Sequence, residues 1–190
     1  MSFILDTGAL SELTRPAPDR KVAAWFDAQD PGVLYLSVLT VGEIEKSIAA
    51  LRAGRKKTAL ASWLATLCST YAERILPIDA TVATIWGRVT ALVERRGRLL
   101  GVVDGLIAAT ALHHGRTVVT RNVADFAGTG VPVFDVWKDQ LASRRLRGWR
   151  IARGAYPTSR ANAVRVCRSA RSYPIRSRSS EMISASYQPR

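Results

Sequence analysis

Cysteine and histidine are almost missing from this sequence, which carries two of each in 190 residues. Cys68 and Cys167 stand far apart, with no C-x-x-C spacing and no histidine beside either, so a disulfide framework and a zinc site are both excluded. Both are expected to be free thiols. His113 and His114 adjoin the expected end of a helix, where a solvated role favoured by the helix dipole is expected, and no other histidine is available as a general base. Long apolar runs are absent too: none approaches the roughly 18 to 20 residues that cross a bilayer. The start, Met1-Ser-Phe-Ile-Leu-Asp6, lacks the charged opening and long apolar stretch of a secretory signal. The chain is expected to be cytoplasmic, with no membrane partner.

What is present is core material and basic charge. A chain of this length with 47% apolar residues has enough to bury for one compact domain, so global disorder is excluded. Residues 1–137 carry 15 basic and 13 acidic side chains, whereas residues 138–190 carry 13 and 2, so the net charge of +13 divides into +2 and +11. From Ser143 onward Arg and Ser dominate, Pro157, Pro174 and Pro189 interrupt the chain, and apolar residues never keep a helical period for long. Such a segment does not readily offset its ordering entropy. A boundary is therefore placed near Trp137 to Ser143: a folded domain over 1–137 and an Arg/Ser-rich extension over 138–190, expected to be disordered. No internal repeat is visible.

Strand and helix patterns alternate along the folded part. Phe3-Ile-Leu5 is a short apolar run, and Asp6-Thr-Gly8 opens a helix around Ala9 to Leu13 that Pro16 and Pro18 stop. Val33 to Leu36 is a second strand; Val41, Ile44, Ile48 and Leu51 then recur at helical spacing, with Gly54 as the end signal. A helix is expected from Thr58 to Tyr71, then a short strand from Ile75 to Ile78 whose Pro77 suits a sheet edge. Asp79 caps a helix whose face holds Val82, Ile85, Trp86, Val89 and Val93. Asp104 opens another helix, followed by a strand at Thr117 to Thr120, a turn near Asn122 to Phe126 and a strand over Val131 to Trp137. The order predicts an α/β fold with a mostly parallel sheet flanked by helices.

Ligands of such sheets sit at the carboxyl ends of the strands. Asp6 directly follows the first strand, Glu43 lies in the first turns of the helix after the second, Asp104 starts a helix, and Asp125 follows the strand ending at Thr120. Right-handed connections would bring all four together. Carboxylates packed so closely raise one another's pKa, a cost that a hard divalent cation removes; Mg²⁺ or Mn²⁺ suits an oxygen-only donor set. A carboxylate-held ion with open positions suits phosphate-ester hydrolysis and needs no side-chain nucleophile. Each acid also has a local reading: Asp6 could order the strand–helix turn, Asp104 and Asp125 could be caps, and Glu43 completes Thr40-x-x-Glu43, a capping-box pattern.

The blocks Ile4-Leu-Asp-Thr-Gly-Ala-Leu-Ser-Glu12, Ser37-Val-Leu-Thr-Val-Gly-Glu-Ile44, Val103-Asp-Gly-Leu-Ile-Ala-Ala-Thr-Ala111 and Val119-Thr-Arg-Asn-Val-Ala-Asp-Phe126 resemble the four signature blocks of PIN-domain proteins, in family order. They resemble especially the VapC and FitB-type toxins of bacterial toxin–antitoxin pairs, over about residues 2–137. The resemblance implies a Mg²⁺-dependent ribonuclease that cleaves RNA by metal-activated water, forms a homodimer, and is held inactive by a small cognate antitoxin carrying a DNA-binding domain. It makes Asp6 and Asp104 the principal metal ligands, Glu43 a third acid that binds metal or positions water, and Asp125 the fourth, with Thr120 and Asn122 in support. Two departures stand out: the extension has no counterpart in the family body, and Asp135 replaces an uncharged polar residue, a change expected to have little consequence.

The extension has two readings, an arginine-rich arm that binds RNA phosphates or an unselected addition. Within the body, Arg52, Arg55, Lys56 and Lys57 form one basic cluster and Arg95, Arg96 and Arg98 another, either solvated charge or guides for phosphate. An aspartyl-nucleophile phosphatase would use D-x-D, and here Gly8 stands at the second position after Asp6. A phosphoacceptor receiver domain would lack the Val103 and Val119 blocks. The remaining alternatives are a nonenzymatic nucleic-acid-binding protein on a PIN scaffold and a DNA-directed nuclease, since none of these motifs reads a 2′-hydroxyl.

Overall fold

The computed structural model describes residues 1–138 and 140–142. Strands β1 (Phe3–Leu5), β2 (Leu34–Ser37), β3 (Ile75–Leu76), β4 (Thr117–Val119) and β5 (Val133–Asp135) run parallel, and β6 (Gln140–Ala142) pairs antiparallel with β5. The sheet order is β3-β2-β1-β4-β5-β6. The connecting helices are α1 (Thr7–Glu12), α2 (Arg20–Ala28), α3 (Val38–Ala49), α4 (Arg55–Thr70), α5 (Ala80–Glu94) and α6 (Val102–His113). A mostly parallel sheet flanked by helices is the fold expected from the pattern, and β3 holds the edge that Pro77 required.

Strand alternation divides the core in two. Phe3, Leu5, Leu36, Val119 and Phe134 face the side covered by α1 to α4, together with Leu10, Val22, Phe26, Ile44 and Leu64. Ile4, Val118 and Val133 face the other side, against Ile107, Ala108 and Ala111 of α6. Each fully buried Leu or Ile contributes about 1.5–3 kcal/mol relative to exposure. The α5–α6 contact is close because Gly105 has no side chain: a Cβ there would lie 2.9 Å from Trp86 Nε1 and 3.1 Å from a Leu100 methyl.

Register fixes what emerges at the carboxyl edge. Leu5 pairs with Leu36 on one side and Val119 on the other, so Asp6, Ser37 and Thr120 leave the sheet at one level. The chain passes from β1 outward to β2 and β3, then returns to place β4 on the opposite flank of β1. That reversal makes the β1–β4 boundary the switch point where α/β sheets open a crevice.

Several local expectations are corrected. Arg20–Ala28 forms a helix where none was expected, started by the Asp19 carboxylate accepting the Lys21 N–H at 2.8 Å. Gly54 does not end α3, which stops at Ala49, but precedes α4, and α4 starts at Arg55 rather than Thr58. Thr40 and Glu43 form no capping box: Ser37 caps α3 through the Leu39 N–H at 3.2 Å, and the Thr40 hydroxyl donates to the Leu5 carbonyl at 3.3 Å. Asp79 does cap α5, accepting the Val82 N–H at 2.8 Å. The sheet continues past residue 137 into β6, and the expected disordered extension from Ser143 onward lies outside the described residues, as does Cys167.

Candidate active site

Asp6 joins the β1–β4 ladder through its own N–H, which donates to the Val119 carbonyl at 3.0 Å, and then begins α1. One carboxylate oxygen, Oδ1, accepts the Thr7 N–H at 2.7 Å, and the other, Oδ2, accepts the Thr120 hydroxyl at 2.7 Å. The local and the functional readings of Asp6 therefore describe one geometry. Thr120 is itself held, its hydroxyl oxygen accepting the Asn122 N–H at 3.0 Å. Asn122 thus supports the site through its backbone; its side chain is exposed.

Glu43 comes from the second turn of α3, where its carboxylate accepts the Thr7 hydroxyl. Thr7 was not singled out by sequence, although a hydroxyl residue directly after the strand-ending acid was the available signal. Asp104 is the third residue of α6 rather than its cap, which is Gly101. A Cβ on Gly101 would lie 2.6 Å from Asp104 Oδ2, so the glycine makes the space that the carboxylate fills. Asp125 lies in a 3₁₀ turn, Val123–Phe126, and is exposed. Arg98 donates to the Ala124 carbonyl at 3.1 Å and Arg96 to the Gly128 carbonyl at 3.4 Å, so these two cations brace the turn that carries Asp125. Lys57 instead closes the far end of α3, donating to the Ala49 and Leu51 carbonyls at 3.0 and 3.1 Å.

The electrostatics tie the four acids together. Burial is the main cause of the raised Asp104 pKa, and the charges of Asp125, Asp6 and Glu43 add to it. Burial likewise raises Asp6; the Thr120 and Thr7 hydrogen bonds oppose this, and Glu43 reinforces it. Among the described residues the ion pairs are Arg15 with Glu12 and Lys138 with Asp135, so none of the four acids has a basic partner. Neither histidine joins them: His113 is nine residues beyond Asp104 on α6, about 14 Å along the axis. His114 is not poised to be cationic, because burial and the neighbouring His113 and Arg116 lower its pKa.

Uncompensated carboxylates are a donor set that fits a hard divalent cation. Among the described residues no three His, Cys, Asp or Glu side chains are close enough to share one ion. The arrangement fits instead the usual magnesium pattern, one or two carboxylates with several waters. An apolar cavity of about 270 Å³, lined by Leu10, Phe26, Leu60, Trp63 and Tyr71, lies elsewhere and holds none of the four acids.

A parallel sheet with Asp6 at its switch point and the charges of Asp6, Glu43 and Asp125 acting on Asp104 defines the class. The PIN domain family matches residues 3–130, and the chain belongs to that family. It is 39% identical over 138 residues to Toxin FitB of Neisseria gonorrhoeae, covering 72% of this chain and 99% of the toxin. It is 38% identical over 137 residues to VapC ribonuclease Y4jK of Sinorhizobium fredii, covering 72% and 98%. Among solved structures, FitAcB from Neisseria gonorrhoeae contains a chain that superposes with a TM-score of 0.69 at 38% identity, covering 71% of this chain and 98% of that one.

Proposed function

We propose that the protein is the toxin of a toxin–antitoxin pair and acts as a Mg²⁺-dependent endoribonuclease. One observation carries this reading: the charges of Asp6, Glu43 and Asp125, from three other segments, all act on Asp104, and none of the four acids has a basic partner among the described residues. Relatives named Toxin FitB and VapC ribonuclease support it, and so does the FitAcB structure.

In this reading Asp6 and Asp104 would hold the ion, and Glu43 and Asp125 would bind it or position water beside it. Bound there, a divalent cation supplies charge to the scissile phosphate and makes a nearby water more acidic. Thr120 and the Thr7 N–H favour the ionised form of Asp6 against the effect of burial, and fix both of its oxygens. Thr7 turns the Glu43 carboxylate, which then accepts the proton of the attacking water. Asp125, exposed on its braced turn, borders the entrance for the RNA strand. The same reading makes the chain a cytoplasmic homodimer restrained by a small cognate antitoxin. No described helix is long and apolar enough to cross a membrane.

The test is cleavage of a panel of structured and single-stranded RNAs, with matched DNAs, by purified antitoxin-free protein in Mg²⁺, in Mn²⁺ or in EDTA. RNA cutting that needs the metal and disappears in Asp104→Asn supports the proposal. DNA cutting alone redirects it to a DNA nuclease, and no cutting by folded wild type removes it.

A further inference from the structure

We infer that Arg121 and Trp137 form a platform that stacks an unpaired RNA base beside the carboxylate site, a reading that rests on the nuclease assignment and names a contact for its substrate. Arg121 immediately follows Thr120, just past the carboxyl end of β4. Thr120 reaches Asp6, whereas the Arg121 guanidinium lies 5.9 Å from the centre of the Trp137 ring. Trp137 rests on the core beneath β5 and is only half-buried. The end of the sheet that carries Asp6 thus also presents a cation and an aromatic ring.

The backbone that carries the ring is held in place. The Trp137 backbone N–H donates to Asp135 Oδ1 at 3.0 Å, the Lys138 backbone N–H donates to the same oxygen at 3.3 Å, and Lys21 Nζ donates to the Trp137 carbonyl at 3.1 Å. Asp135 is 1% exposed, so the departure seen in the sequence serves as a buried anchor for this turn. The Arg121 side chain is not fixed in the same way. It is exposed, it has no hydrogen-bond or ion-pair partner among the described residues, and its distance to the ring is at the outer limit of about 6 Å for a cation–π contact.

A half-buried aromatic ring on an anchored turn, with an exposed arginine 5.9 Å from its centre and Lys21 bonded to its backbone carbonyl, is what single-stranded nucleic acid uses: stacking for the base, charge for the phosphate. The acids of the site repel that same backbone, so affinity has to come from groups beside them. Arg121 is one residue from Thr120, which places the platform under a nucleotide neighbouring the scissile phosphate. Duplexes, whose bases are already stacked, gain nothing from it.

The experiment uses the full chain in EDTA and short single-stranded RNAs carrying 2-aminopurine, whose fluorescence falls when the base stacks. Titration of wild type should quench the probe. Trp137→Leu should abolish the quenching, Trp137→Phe should retain it, and Arg121→Gln should weaken binding about tenfold through loss of one phosphate-directed charge. A matched duplex should show no quenching, and a matched single-stranded DNA shows whether the platform distinguishes the sugar. Equal quenching by wild type and folded Trp137→Leu, or full affinity in Arg121→Gln, overturns the inference. Because no metal is present, quenching by a protein that cuts no RNA in Mg²⁺ would leave the platform standing and remove the nuclease assignment alone.

Discussion

Thr120 donates its hydroxyl hydrogen to Asp6 across 2.7 Å and 114 positions of sequence. The bond joins the ends of two adjacent parallel strands and fixes the carboxylate on which the rest of the site is organised. Replacing Thr120 with Val keeps the shape and removes the donor, leaving Asp6 buried with one oxygen unpaired. We expect a stability loss of about 1.5–3 kcal/mol, the usual value for a hydrogen bond to a charged group. Cleavage should fall about 10- to 100-fold, as when a group that orients a metal ligand is lost. The acid limb of the pH–rate profile should move to higher pH, which a purely structural role would not produce.

Asp104→Asn and Asp6→Asn should each abolish cleavage while leaving the circular dichroism spectrum unchanged. Either change removes a charge with almost no change of volume. Full metal-dependent turnover in a folded variant would contradict the assignment of that ligand.

The same acids predict how metal-free stability depends on pH. Burial and neighbouring carboxylates raise Asp104 and Asp6 above the ordinary value of 3.8, so the folded state binds these protons more tightly than the unfolded state. Their contribution to stability is therefore full below pH 3.8 and is lost as pH rises through the raised values. In EDTA, melting temperatures of wild type and Asp104→Asn should agree in acid and separate toward neutral pH, with the variant higher. Mg²⁺ should raise wild type, by about 2.7 kcal/mol at a hundred times Kd, and affect the variant less.

Gly101→Ala tests the space left for Asp104. The backbone at Gly101, φ −57° and ψ 138°, accepts alanine, but the new Cβ would lie 2.6 Å from Asp104 Oδ2. The flexible carboxylate should yield, not the helix. Activity should fall while the melting temperature changes little, and unchanged turnover would show that the carboxylate position is not critical.

Gly105→Ala should do the reverse. Its Cβ would meet Trp86 Nε1 at 2.9 Å and Leu100 at 3.1 Å within the α5–α6 contact. Overpacking of this kind costs about 1–3 kcal/mol. Chemical denaturation should show the loss, with kcat per folded molecule preserved.

Strands, the parallel sheet and the place of Asp6 at the carboxyl end of β1 were legible because an apolar run and the acid that follows it are local signals. The hydrogen-bond partners were harder to read, because they belong to pairs brought together by register. Thr7 with Glu43 is one such pair, and Thr40, legible as a helix cap, instead spends its hydroxyl on the Leu5 carbonyl of a neighbouring strand. Helix α2 was obscured by Pro16 and Pro18, although Asp19 and the spacing of Val22 and Phe26 were its signals. Gly101 gave no sign of its role, since nothing in the sequence says that its missing side chain makes room for Asp104.

β1 is made first yet occupies the middle of the sheet, and Phe3 waits for Thr117 before its second flank is covered. A chain still being synthesised has Asp6 and Glu43 long before Asp104 and Asp125. Slippage of β4 by a single residue would turn Thr120 away and offer Val119 or Arg121 to Asp6 instead. On the proposed function, unfinished or misregistered copies would be chemically silent, and activity would arise only with the last step of correct assembly.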